Sequence, residues 1–163
     1  MTESKDLLRE GIASFFFLGR APVAPGTFGT LGALGLAYLT NTYLDALAGF
    51  LLLALSGIFY YAGLQVAPWC EEKFGKDPDV FVLDEVVGYL VLIGLLLILS
   101  LNLDSTLWVA SFIAFRGFDV AKIWPAKDLE EMAGGHGIML DDLAACFHAL
   151  ILVLLLDEFG ILL

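Results

Sequence analysis

The sequence predicts an all-α fold, a compact multi-pass membrane bundle of about four to five hydrophobic helices. Hydrophobic residues make up 60% of the 163 residues, against roughly 45–50% in ordinary soluble domains, and the mean hydropathy is +0.87. These residues fall in long uncharged runs, and polar residues collect between the runs. The length suits one domain, so we expect residues 1–163 to form a single unit. A soluble helical protein with an unusually apolar core is the alternative, and its small body would have to bury every run.

Five apolar runs account for the predicted helices. Residues 46–67 form the clearest run, which at 1.5 Å per residue is long enough to cross a hydrocarbon layer of roughly 30 Å. Residues 86–103 approach the same length and are also expected to span. Three further runs are shorter or rich in small residues and permit short, tilted or protein-buried helices; they are 28–43, 106–118 and 143–156.

The basic residues predict the orientation of such a bundle. If the five runs alternate in direction, the loops within 1–27, 69–85 and 116–141 share one face. Lys and Arg mark the cytoplasmic side of short-loop membrane proteins, so we expect this face in the cytoplasm. The N-terminus lacks the basic-then-apolar order of a cleaved signal peptide. All eight basic residues lie on or beside this face: Lys5, Arg9, Arg20, Lys73, Lys76, Arg116, Lys122 and Lys127.

Charge and cysteine content exclude other classes of function. With 19 acidic and 8 basic residues, the formal net charge is −11, whereas nucleic-acid binding needs clustered Lys and Arg. We therefore expect no nucleic-acid partner. Cys70 and Cys146 are far apart and form no CxxC or Cys/His pattern, so they are expected to be ordinary helix residues.

Acidic residues that are distant in sequence meet at the predicted cytoplasmic face. Charge near hydrocarbon is costly, so charged residues at the ends of membrane helices are candidates for function. Gathered carboxylates repel one another unless a cation offsets them, and Mg²⁺ prefers oxygen ligands, often carboxylates plus a substrate phosphate. The pattern predicts a magnesium site whose metal-binding and catalytic residues are Asp84, Glu85, Asp119, Asp141 and Asp142.

Simpler explanations exist for some of these acids. Asp84 and Glu85 at a helix start could merely cap the helix and complement its dipole, which is the simpler interpretation of these two taken alone. Asp141 and Asp142 point about 100° apart on a helix. One of them could therefore bind metal while the other caps the helix or positions its neighbour.

Basic side chains and glycine-containing turns are the candidate phosphate-binding groups. Arg116 and Lys122 lie near the acids, although Arg116 and Asp119 could form a plain i,i+3 salt bridge. Two turns lead into predicted helices, where backbone N–H groups readily bind anions. Their residues are Pro25, Gly26 and Thr27 in the first turn, and Gly134 and Gly135 in the second.

Four ordered blocks cover most of the chain: APGTFGTL at 24–31, DEVVG at 84–88, FRGFDVAK at 115–122 and GGHGIMLDD at 134–142. In these blocks the chain resembles the phosphatidylglycerophosphatase A family, bacterial membrane enzymes that remove a phosphate from phosphatidylglycerophosphate to make phosphatidylglycerol. The resemblance implies magnesium dependence, a phospholipid substrate, a place in the bacterial inner membrane with the site facing the cytoplasm, and roles for the candidate residues above. The chain departs from the family pattern at Ile123, where proline is usual, and at Ala133, where histidine is frequent.

The expected reaction is hydrolysis of the lipid phosphate by water, with the carboxylates holding magnesium and two basic side chains holding the phosphate. An aspartyl-phosphate intermediate is the other possible route, because several Asp residues are available. A small cation-binding transporter or channel component is an alternative function, although the centres of the two strongest runs carry no charge. A non-catalytic membrane scaffold is a third, and the oligomeric state is left open.

Overall fold

The protein is a bundle of helices in the computed structural model, which describes residues 2–99, 103–132 and 135–161. No β-strand occurs in these ranges, so the predicted all-α class is confirmed. Short 3₁₀ turns lie at Leu18–Arg20 and Asp45–Leu47. The α-helices in the described ranges are α1 (Thr2–Ala13), α2 (Pro25–Leu44), α3 (Ala48–Phe74), α4 (Leu83–Ile98), α5 (Ser105–Ala121), α6 (Ala126–Glu130) and α7 (Gly135–Glu158).

Helix α4 lies at the centre, with α3, α7, α2 and α5 packed around it. Eleven of its 16 residues are buried. A Cβ atom on Gly94 would lie only 3.1 Å from the Gly49 carbonyl oxygen, so small residues let α3 and α4 approach with their backbones nearly in contact. Cys70 and Cys146 are buried free cysteines in α3 and α7, in agreement with the sequence prediction.

Each of the five apolar runs corresponds to a helix, namely α2, α3, α4, α5 and α7 in chain order. In the run 86–103, which corresponds to α4, residues 100–102 lie outside the described residues. Within the described residues, two segments are long and apolar enough to cross a membrane: Pro25–Phe74, which contains α2 and α3, and Gly135–Glu158. Helices α4 and α5 have 16 and 17 residues. The predicted count of four to five spans is therefore not confirmed.

Large apolar side chains remain exposed on the outer faces of the bundle. Phe50 on α3, Ile113 on α5 and Ile151 on α7 are 63%, 64% and 59% exposed. Soluble monomers rarely expose extensive apolar patches, whereas a membrane-facing surface does. This outer surface and the two long apolar segments are consistent with a membrane protein.

The N-terminal segment is tied to the polar end of the bundle. Glu10 in α1 is buried and lies 2.6 Å from Arg20 Nη2 and 3.6 Å from Lys73 Nζ, at the end of α3. The Val82 N–H donates to the Ala13 carbonyl over 3.0 Å. The C-terminal end of α1 therefore braces the loop that leads into α4.

Candidate active site

A polar cavity of about 280 Å³ lies at the end of the bundle where α2, α4 and α7 begin and α5 ends. Seven carboxyl side chains and two basic side chains line it: Asp77, Asp79, Asp84, Glu85, Asp119, Asp141 and Asp142, with Arg116 and Lys122. The structure thus brings every charged candidate from the sequence into one cavity. It also adds two acids from the loop before α4.

Asp84, Glu85 and Asp142 form the tightest carboxyl group, and one oxygen of each lies within 4.8 Å of the others. Glu85 Oε2 and Asp142 Oδ2 are buried, and no donor in the described part of the chain reaches them. Buried acceptors normally have a partner, and carboxylate oxygens are the ligands that hard divalent cations prefer. These three residues, the carboxylate trio, are therefore the group best placed to hold a metal ion.

Close packing of α4 on α7 sets the spacing of the carboxylate trio. A Cβ atom on Gly88 would lie 2.9 Å from the Asp142 carbonyl oxygen and 2.8 Å from Phe115 Cε2. Glycine at this position is therefore what lets the start of α4 approach α7. A larger residue would separate Asp142 from the two acids of α4.

Neither acid of α4 is the N-cap residue of that helix. The N-cap residue is Val82, and its side chain makes no capping bond. Asp84 Oδ1 does accept the Glu85 N–H over 2.9 Å, so one carboxylate oxygen is oriented by the helix start. Both Asp84 and Glu85 line the cavity.

Burial and neighbouring negative charges raise the pKa values of Asp84 and Glu85, which precede the apolar part of α4. Burial raises the pKa of Asp84, and the neighbouring charges of Glu85 and Asp142 raise it further. Burial also raises the pKa of Glu85, although Asp84 as a hydrogen-bond partner and Arg116 oppose the shift. A nearby cation would favour the ionised form of both groups.

Arg116 connects three helices at the cavity wall. Its Nη1 lies 3.6 Å from Glu85 Oε1, contacts Asp119 Oδ2 and donates to Thr30 Oγ1 over 3.4 Å. The Thr30 hydroxyl in turn donates to the Gly26 carbonyl over 2.9 Å. The i,i+3 salt bridge considered from the sequence is confirmed, and it lies inside the cavity with further partners.

Lys122 occupies the other side of the cavity. Its Nζ lies 2.9 Å from Glu130 Oε1, 3.1 Å from Asp141 Oδ2 and 3.9 Å from Asp77 Oδ2. Burial lowers the pKa of Lys122, but the surrounding carboxylates outweigh this effect and raise its pKa overall. Asp141 is thereby paired with an ammonium group, whereas Asp142 joins the carboxylate trio, because adjacent helix residues point in different directions.

The first turn of α2 forms another wall of the cavity. Pro25 and Gly26 line the cavity. A Cβ atom on Gly26 would lie only 2.0 Å from Glu85 Oε1, so this position accepts glycine alone without displacing the carboxylate. Thr27 is not among the lining residues, and its N–H donates to the Ala24 carbonyl over 2.9 Å.

In the second predicted phosphate-binding turn, the described glycine lies away from the cavity. Gly134 lies outside the described residues. Gly135 begins α7 and packs on α3, where its Cβ atom would lie 2.8 Å from Ala67 Cβ, and it does not line the cavity. The next residue, His136, hydrogen bonds with the Tyr60 hydroxyl over 3.2 Å and does not line the cavity either. The cavity geometry gives no support for phosphate binding by Gly135.

Three residues that line the cavity have a strained, left-handed backbone. Ala24, Asp77 and Lys122 all line it with φ values of 49°, 47° and 43°. This left-handed conformation costs about 1–2 kcal/mol for a residue with a Cβ, and such residues cluster at functional sites. Asp77 was not singled out from the sequence, although it is an acid in the loop that leads into the acidic start of α4. Thr30 was also missed, although it stands within the first sequence block.

Comparison with known proteins decides the family. A sequence model of the phosphatidylglycerophosphatase A family matches residues 11–157. The chain belongs to the phosphatidylglycerophosphatase A family. Membership makes the protein a phosphatase that acts on a phosphate monoester, and it does not favour the transporter interpretation.

Curated relatives of this phosphatidylglycerophosphatase A family member carry two kinds of name. Proteins named phosphatidylglycerophosphatase A from Escherichia coli and Haemophilus influenzae are each 30% identical to it, over 82% and 87% of the chain and 74% and 84% of the relatives. A Bacteroides thetaiotaomicron protein, provisionally named a phosphatidylinositol-3-phosphatase, is 35% identical over 87% of the chain and 89% of the relative. No solved structure matches the chain.

Proposed function

We propose that this protein is a magnesium-dependent phosphatase that hydrolyses phosphatidylglycerophosphate to phosphatidylglycerol and phosphate. The observation that carries the proposal is the carboxylate trio, which lies in the same cavity as two basic side chains. Family membership supplies the reaction class, and the names of two relatives supply the substrate.

The charge of the cavity supports a requirement for divalent cations. Seven carboxyl groups and two basic groups line it, and a phosphate monoester adds about −1.5 to −2 charges at neutral pH. Such a substrate would be repelled unless cations entered with it. A magnesium ion bound at the trio would offset phosphate charge and lower the pKa of a bound water.

Arg116 and Lys122 are the proposed phosphate-binding side chains. Arg116 is held by Glu85, Asp119 and Thr30, which fixes its guanidinium at the cavity wall. Lys122 stays protonated because carboxylates surround it. Each can donate hydrogen bonds to phosphate oxygens, and they approach the cavity from different sides.

Direct attack by water is the proposed route. Asp119 contacts Arg116, and Asp141 contacts Lys122, so two of the aspartates are engaged by cationic groups rather than free to attack phosphorus. Hydrolysis in ¹⁸O-labelled water should place the label in released phosphate without a phosphorylated protein. A trapped aspartyl-phosphate would contradict this route.

Phosphatidylinositol 3-phosphate is a second candidate substrate because of the name of the 35% identical relative. Both lipids carry a phosphate monoester on a phospholipid headgroup. The decisive assay measures phosphate release from each lipid by purified protein with magnesium or EDTA. Asp84→Asn should abolish release, whereas Asp157→Asn, at the far end of α7, should not. Absence of magnesium-dependent release from both lipids would overturn the proposal.

The proposed topology is multi-pass, with the cavity facing the cytoplasm. Basic residues concentrate at the cavity end, which is the expected cytoplasmic pattern. Thr42 near the end of α2 and Lys76 after α3 are exposed at opposite ends of the bundle. In intact cells, an impermeant thiol reagent should label Thr42→Cys from outside and Lys76→Cys only after permeabilisation. The reverse pattern would contradict this orientation.

A further inference from the structure

A second cavity lies next to the charged one and has an apolar lining. Its volume of about 640 Å³ falls within the usual range of small-molecule sites. Residues of α1 and α3 form its two sides, the turn after α1 forms its end, and Leu83 at the start of α4 closes it. We call this cavity the α1–α3 groove.

One short chain segment separates the groove from the charged cavity. Phe81 and Asp84 line the charged cavity, and Leu83 lines the groove. Val82 between them is fully buried, and its N–H donates to the carbonyl of Ala13. A molecule whose phosphate lies in the charged cavity therefore has an apolar compartment directly beside it.

The turn at the end of the groove has an unusual backbone. Phe15, Phe16 and Phe17 line the groove with φ values of 43°, 56° and 68°. A left-handed conformation is unfavourable for each of them, and such strain is typical of ligand sites. Among the described residues, seven non-glycine residues have positive φ, and six of these line either the groove or the charged cavity. Left-handed backbone thus occurs in the walls of both compartments.

The groove is open towards the apolar outer surface of the bundle. Leu8 of α1 and Ile58 of α3 line it and are 66% and 62% exposed. Helix α1 also carries the paired charges Asp6 and Arg9, and an amphipathic helix of this kind suits a membrane surface. A hydrocarbon chain could enter the groove from the bilayer beneath α1.

We propose that the α1–α3 groove binds an acyl chain of the phosphorylated phospholipid while its headgroup lies in the charged cavity. The inference rests on the proposed function and adds a subsite for the apolar part of the substrate. It makes acyl-chain binding a contribution of α1 and the phenylalanine turn.

The first test fills the groove with Ala62→Phe and compares it with Ala110→Phe. Both alanines are half-buried helix residues, and only Ala62 lines the groove. The substrates are dipalmitoyl phosphatidylglycerophosphate and its deacylated headgroup, with the lipid at a fixed mole fraction in mixed micelles. Ala62→Phe should raise KM for the dipalmitoyl lipid by about tenfold, equivalent to excluding about two methylene groups. KM for the headgroup should stay within about twofold of wild type, and Ala110→Phe should change neither value.

A second pair of variants avoids any folding defect of the larger side chain. Ile58→Ala shortens one wall of the groove, and Ile113→Ala removes an isoleucine of nearly equal exposure, 62% against 64%, from α5. Only Ile58→Ala should raise KM for the dipalmitoyl lipid. Equal effects of the two variants, or equal effects on lipid and headgroup, would overturn the acyl-chain assignment. If the wild-type protein hydrolyses neither substrate, the proposed function itself fails and the subsite assignment falls with it.

Discussion

Gly26→Ala tests whether the close approach of the first turn of α2 to Glu85 and Arg116 is needed for activity. The added Cβ atom would lie 2.0 Å from Glu85 Oε1, so the carboxylate has to move by about 1.4 Å to reach ordinary contact at 3.4 Å. It would also lie 3.1 Å from Arg116 Nη1. Both groups belong to the proposed site, and a misplacement of about 1 Å can lower the rate about 10²-fold. We expect kcat for lipid phosphate release to fall by about 10²-fold.

The matched control is Gly35→Ala, in the same helix. Apart from its chain neighbours and the adjacent backbone of its own helix, no atom among the described residues lies within 4 Å of a Cβ placed there. Alanine also favours a helix over glycine by about 1 kcal/mol. This variant should keep wild-type activity. The assay measures phosphate release from phosphatidylglycerophosphate in mixed micelles at saturating magnesium, with thermal unfolding in detergent as the check on folding. A Gly26→Ala protein with activity within about twofold of wild type would refute the assigned role of this turn.

Three further predictions concern the charged side chains. Asp142→Asn should raise the magnesium concentration needed for half-maximal activity more than Asp141→Asn does, because only Asp142 belongs to the carboxylate trio; the reverse order would contradict the assignment. Lys122→Met should lower kcat by about 10²–10³-fold, the usual effect of losing one donor to a developing anion, and a loss confined to KM would instead show that it only binds substrate. The raised pKa of Asp84 means that the folded, metal-free protein binds the carboxyl proton of Asp84 more tightly than the unfolded chain does. Its stabilising effect is therefore present at low pH and is lost as pH rises through the folded-state pKa. In EDTA the melting temperature should fall as pH rises from the unfolded-state pKa of Asp84 to its folded-state pKa. Added magnesium should raise the melting temperature more at high pH than at low pH. A magnesium effect that weakens as pH rises would exclude a link between Asp84 ionisation and magnesium binding.

The apolar runs were enough to predict the helices and the convergence of the charged residues. Runs of uncharged residues can satisfy their backbone only as helices in an apolar environment, and alternation in direction then brings 84–85, 116–122 and 141–142 to one end. The cavity confirms that these residues meet. Their chemical roles stay predictions.

The sequence did not reveal the contacts that depend on how the helices pack. Asp141 and Asp142 were left undistinguished, because rotation of α7 against α4 decides which of them joins the trio. Gly135 resembled a phosphate-binding turn, but it serves the contact between α7 and α3. The phenylalanine turn after α1 gave no signal, because left-handed backbone at Phe15 and Phe16 contradicts local preference.

Because the carboxylate trio is divided between α4 and α7, a nascent chain that has not yet delivered α7 lacks Asp142. Arg116 similarly links parts of the chain that are made at different times, since its partner Thr30 lies 86 positions earlier. Chemistry at this centre would consequently require both ends of the segment from α2 to α7. Copies that stop before α7 would reach the bilayer inert, and turnover would report that α7 has joined the bundle.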